Sequence, residues 1–171
     1  MTREFDVVSL PPADHPDVGD TAPDFTRPLV NAEFWEDVSL STLTDERPVV
    51  LVFYPMDGSP TATNLWSELR TRAWTDAHEV SVVGVSISTP YEHKAFIEAQ
   101  KLDAELFSDP TNELAETYGV VYDSDGLTGV TEARPAVFVL DTDRTVRYAW
   151  APDEWPAYPP YDEVEDALSA L

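Results

Sequence analysis

The densest run of chemically useful side chains follows an apolar stretch: Phe53-Tyr54-Pro55-Met56-Asp57-Gly58-Ser59-Pro60-Thr61-Ala62-Thr63. Its hydroxyls are weak nucleophiles and need a neighbouring base to react. The chain has three histidines, His15, His78 and His93. If a straight helix runs on from Ala62, His78 lies about 24 Å along it at 1.5 Å per residue. His93 falls in the following helix and His15 in an N-terminal arm. This scatter argues against a serine–histidine catalyst at the loop and against a histidine metal site. The carboxylates remain as loose cation binders at most, and Asp123-Ser124-Asp125-Gly126 reads as a turn rather than a calcium loop. Cysteine is absent. That excludes disulfides, thiolate nucleophiles, cysteine-ligated zinc and iron–sulfur clusters.

The elements that must position this loop are legible in outline. Pro48 to Tyr54 is a continuous apolar run with branched residues, as in a central strand buried on both faces. Beyond the loop, Ala62, Leu65, Trp66, Leu69 and Ala73 recur at helical spacing. Val80 to Ile87 reads as a second buried strand. Thr89 stands three residues before Glu92 as a capping box, with Pro90 at the first helical position, and Tyr91, Ala95, Phe96 and Ala99 continue that helix. Leu106-Phe107 suits a short strand, followed by a helix through Leu114 and Tyr118 that Gly119 stops. Ala136 to Leu140 is a third apolar strand, turned by Asp141 to Arg144 into Thr145 to Trp150. Tyr161, Val164, Leu168 and Leu171 share one face of a final helix. Between Ala22 and Leu43 the pattern predicts short β-type pieces ending in Val38-Ser39-Leu40, with a polar break at Thr44 to Arg47. With right-handed crossovers, this order predicts an α/β, thioredoxin-like fold: a mixed central sheet flanked by helices. Residues 1–20, with Pro11, Pro12 and Pro16, read as an extended arm, and residues 21–171 as one domain.

Composition narrows the setting. At 171 residues and 43% hydrophobic, the chain suits one well-filled domain. Acidic residues number 33 against 10 basic, a formal net charge of −23, which opposes binding to nucleic acid or an anionic membrane. Only Lys94 and Lys101 are lysine; the other basic residues are arginine. Such self-repulsion destabilises a compact chain in dilute buffer, whereas at 1 M salt the Debye length is about 3 Å. A salt-rich cytoplasm, as in a halophile, is therefore expected. No apolar run approaches a membrane span, and Met1 to Pro12 lacks the pattern of a secretory signal.

The loop also resembles the active-site stretch of the peroxiredoxins, the thiol-dependent peroxidases of the AhpC/TSA superfamily. It is most similar to the branch called bacterioferritin comigratory protein or peroxiredoxin Q, here with a haloarchaeal-like composition. That branch reads proline, three residues, threonine or serine, two residues, cysteine; Pro55 and Ser59 match, and Ala62 stands where the peroxidatic cysteine belongs. The likeness runs from Gly19-Asp20-Thr21-Ala22-Pro23-Asp24-Phe25 through Leu106 to Pro110 and Tyr118-Gly119-Val120 to Arg134 to Asp141. It implies that Ser59 hydrogen-bonds a thiolate and the incoming peroxide, that Pro55 shields the site, and that Arg134 supplies a guanidinium. It also implies that Ser67 occupies the place of a resolving cysteine. Further implications are a hydroperoxide substrate, hydrogen peroxide or a small alkyl hydroperoxide, and a thioredoxin-like reductant. No metal, flavin or haem is implied, and a monomer or a dimer is equally compatible. Lacking both sulfurs, the chain is expected not to turn over peroxide by the family route. Two origins fit: a peroxidase whose cysteines were replaced, or a natural relative that lost its thiol and became a binding or scaffold protein. The aromatic, proline-rich segment Tyr148 to Tyr161 is either a partner-binding strip or, as Trp150 favours, a connection packed over the sheet.

Overall fold

The sheet is organised around the strand that leads into the loop. In the computed structural model, which describes residues 7–171, strand β4 (Val49–Phe53) is buried along its whole length. Val49, Leu51 and Phe53 join one apolar core and Val50, Val52 and Tyr54 the other, the alternation of a strand covered on both faces. Seven strands pair in the order β3-β2-β6-β5-β4-β7-β8. β5 (Ser81–Ser86) runs parallel to β4, and β6 (Glu105–Ser108) parallel to β5. β7 (Ala136–Leu140) is antiparallel to β4 with Phe53 opposite Ala136, and it returns through a hairpin to β8 (Val146–Trp150). β2 (Thr26–Val30) is antiparallel to β6 and to β3 (Trp35–Ser39), an edge strand whose Glu36 and Asp37 are exposed. The mixed α/β, thioredoxin-like architecture expected from the sequence is therefore present.

Helices α2 (Pro60–Arg72), α4 (Pro90–Gln100) and α6 (Tyr161–Ser169) contribute Leu65, Trp66, Phe96, Ile97, Val164 and Leu168 to one core. α1 (Leu40–Glu46) and α5 (Glu113–Thr117) contribute Leu40, Leu114 and Ala115 to the other. Gly84 is required on β5: a Cβ there would stand 2.6 Å from both the Trp66 ring and Leu106, so only glycine lets that indole lie against the strand. The capping box at α4 forms as anticipated, with Thr89 accepting from the Glu92 amide and Glu92 accepting from the Thr89 amide.

Two expectations need correction. Leu40 starts α1 instead of ending a strand, and the polar stretch at Thr44 to Glu46 is that helix's last turn. Leu40 and Thr44, four apart, both bury, but seven residues are too few to show a helical period. Nor is the helix after Ala62 straight through to His78. α2 stops at Ala73, whose left-handed φ of 50° redirects the chain into the short α3 (Trp74–His78).

Of the N-terminal arm, Met1 to Asp6 lie outside the described residues. Beyond them Val8–Ser9 forms β1, paired antiparallel with β9 (Glu154–Trp155) in a separate two-stranded sheet. In the aromatic segment Tyr148 to Tyr161, Trp150 and Tyr161 rest on the core and Trp155 is paired by the arm, whereas Tyr158 is exposed.

Candidate functional site

Parallel β4, β5 and β6 all point their carboxyl ends to one side, and there the loops after them meet the approach to β7. Such an end is where open α/β sheets place their sites. The loop from Pro55 to Ser59 turns the chain into α2. Ser59 is the N-cap residue, and its Oγ accepts from the Ala62 amide at 3.2 Å while donating to the Met56 carbonyl at 3.0 Å. Pro60 opens the helix, where its missing N–H costs nothing. Ala62 therefore sits in the first turn of a thirteen-residue helix, with no exposed surface. The positive end of the helix dipole faces this turn. Pro55 is buried, and Ser67 lies half-buried further along α2.

Arg134 is placed differently from a simple neighbour of position 62. Its side chain is buried, and its Nη atoms donate to three carbonyls: Pro11 at 2.9 Å, Pro152 at 3.2 Å and Val121 at 3.2 Å. The guanidinium also lies 5.8 Å over the Tyr122 ring. Burial lowers its pKa, with nearby Asp153 and Tyr122 opposing. None of its hydrogen bonds reaches Ser59 or Ala62 among the described residues, and its buried Nε has no partner. Extending the register of Phe53 opposite Ala136 places Arg134 level with Pro55, at the loop end of the sheet. The structure thus brings Ser59 and Ala62 together. It holds Arg134 as a strap joining the arm, the connection after β8 and the chain at Val121.

A buried polar network escaped the sequence reading. Tyr54 Oη donates to Asp57 Oδ1 at 2.6 Å, and Asp57 Oδ2 lies 2.7 Å from His93 Nδ1. His93 Nε2 donates to the Phe107 carbonyl at 3.0 Å. The Asp57 amide donates to Ser88 Oγ at 2.9 Å, and Ser108 Oγ donates to the Ser88 carbonyl at 2.6 Å. Burial first, then the Asp57 charge, pushes the Tyr54 phenol well above its ordinary range, so it stays a neutral donor. The missed signal was topological: loops after adjacent parallel strands are neighbours, which brings Asp57 to a histidine in the first turns of α4. His15 packs edge-on against Phe138 at 5.8 Å, and His78 ends α3. Among the described residues, no cluster of three or more histidine, aspartate or glutamate side chains is arranged to hold a metal ion. Asp123 to Gly126 closes as a turn, with the Gly126 amide donating to the Asp123 carbonyl at 3.2 Å.

The model of the AhpC/TSA family matches residues 18–149. A Coxiella burnetii peroxiredoxin named bcp is 29% identical over 142 residues, covering 78% of this chain and 87% of its own. Chloroplastic peroxiredoxin Q of Gentiana triflora is 32% identical over 135 residues, covering 75% of this chain and 56% of its own. Among solved structures, peroxidoxin BcpB from Mycobacterium tuberculosis superposes with a TM-score of 0.74 at 29% identity. That alignment covers 91% of this chain and 96% of the other.

Proposed function

The chain belongs to the AhpC/TSA family of peroxiredoxins, and from that premise we propose that it is a thiol-free member of the bacterioferritin comigratory protein and peroxiredoxin Q branch. In this reading position 62 is the peroxidatic position, held by Ala62, and Ser67 stands at the resolving one. The family implies a hydroperoxide as substrate and a thioredoxin-like reductant. With cysteine at position 62, the thiolate sulfur would attack one peroxide oxygen and break the O–O bond. The other oxygen would then take a proton and leave as water or alcohol, with a sulfenic acid remaining. Neither a methyl group nor an unassisted serine hydroxyl can carry out that step, so this chain does not reduce peroxide by the thiol route.

The observation that carries the reading is the cap at Ala62: a buried first-turn residue whose amide is held 3.2 Å from Ser59 Oγ. A helix N-terminus of this kind favours a thiolate over a thiol. The acidic surface belongs to the same proposal, as an adaptation to a salt-rich cytoplasm; no helix among the described residues is long and apolar enough to cross a membrane.

The test is Ala62→Cys assayed for hydrogen peroxide consumption with a dithiol reductant, beside the unaltered chain. The expected result is turnover by the variant alone, through a thiol that ionises below the ordinary cysteine value of about 8.5. A folded variant whose thiol stays inert to peroxide would overturn the reading and favour a binding or scaffold protein on the same fold.

A further inference from the structure

The loop that caps α2 closes on itself through the Ser59 amide and Oγ, which both donate to the Met56 carbonyl. Met56 and Asp57 are half-buried and Gly58 is exposed. Further anchors hold Asp57. Asp57 is gripped through its carboxylate by Tyr54 and His93, and through its amide by Ser88. His93 is fully buried on α4. Because a carbonyl oxygen can only accept, Nε2 must carry a proton to bond Phe107 O. A second proton must then lie between Nδ1 and Asp57 Oδ2, since two lone pairs 2.7 Å apart would repel. Tyr54 donates to the other carboxylate oxygen at 2.6 Å, so Asp57 is held at both oxygens. Tyr54 and Asp57 are the titratable groups in hydrogen-bond or ion-pair contact with the ring.

We propose that His93 is a positioning residue: through Asp57 it holds the Pro55–Pro60 loop in the shape that aims Ser59 Oγ into the first turn of α2. The environment of position 62 is thereby set from α4 as well as from the loop's own sequence. This rests on the reading of position 62 as the thiol position, but its readouts can fail separately. In the Ala62→Cys background, the pH profile of alkylation of the introduced thiol by iodoacetamide is measured with His93 intact, with His93→Gln and with Asp57→Asn. In the cysteine-free chain, exchange of the Ala62 amide is compared with that of the β4 amides for the same two substitutions. The expected results are alkylation at pH 7 slowed about fivefold or more, the scale of a lost helix cap, a profile displaced to higher pH, and selective loss of protection at Ala62. Alkylation profiles that superimpose, or amide 62 changing only in step with β4, would overturn the inference. Asp57→Asn, nearly isosteric and in the loop, keeps the test decisive should His93→Gln unfold the core. Slowed alkylation without peroxide turnover in the parent Ala62→Cys would defeat the peroxidatic reading and leave the positioning role standing; turnover insensitive to both substitutions would do the reverse.

Discussion

Replacing Arg134 by methionine should loosen one corner of the molecule far more than the rest. The side chain is buried, and its donors hold the carbonyls of Pro11, Pro152 and Val121. A hydrogen bond from a charged donor is worth about 1.5–3 kcal/mol, but removing the guanidinium also relieves its desolvation, which brings the net cost to about 2–3 kcal/mol. For a chain of this length that is a fall in melting temperature of about 5–10 °C. The loss should concentrate where the strap acts. The Leu10 amide, which donates to the Asp153 carbonyl at 2.8 Å, and the β1–β9 pair should exchange first. Urea unfolding gives the global term, and hydrogen exchange at Leu10, Val8 and Trp155 the local one. Lysine should rescue little, because one ammonium lacks the fork that reaches several carbonyls at once. A loss below about 1 kcal/mol with Leu10 still protected would refute the strap.

Glu132 and salt give two independent checks. Burial raises the Glu132 pKa above its ordinary 4.5, against the hydrogen bond from the Asp125 amide, with the Asp125 charge adding to the rise. A carboxyl raised in the folded state contributes stability that is lost as pH climbs from that value through the folded pKa. Glu132→Gln should therefore gain stability over the parent from acidic to neutral pH, and urea midpoints that keep a constant difference from pH 4 to 7 would contradict it. With a net charge of −23, the melting temperature should climb steadily from dilute buffer to molar sodium chloride as repulsion is screened. Equal stability at both extremes would end the proposal of a salt-adapted surface.

Part of the frame around the loop was legible because its determinants are local. Thr89 with Glu92 announces a capped helix, and that cap is present. The central strands were legible because burial on both faces leaves an unbroken apolar run. The role of Arg134 was not, since its partners are main-chain carbonyls from segments up to 123 residues away, and carbonyls leave no mark on a sequence. His93 was set aside because it lies in the next helix, yet parallel pairing of β4 with β5 makes that helix's start the loop's neighbour. The start of α1 resembles a strand end and its last turn a polar break, because two buried positions four apart fit either period over so short a stretch.

One of the two outermost strands, β3, leaves a line of backbone donors and acceptors without a neighbour in the sheet. Such a rim invites a second copy to add itself, and repeated addition makes fibres. Here Glu36 and Asp37 line that rim, so two copies approaching edge to edge would press carboxylates together. The barrier is electrostatic, and it weakens in the concentrated salt that relieves the rest of the surface. Exchanging these two residues for threonine should therefore seed polymerisation, first of all in brine.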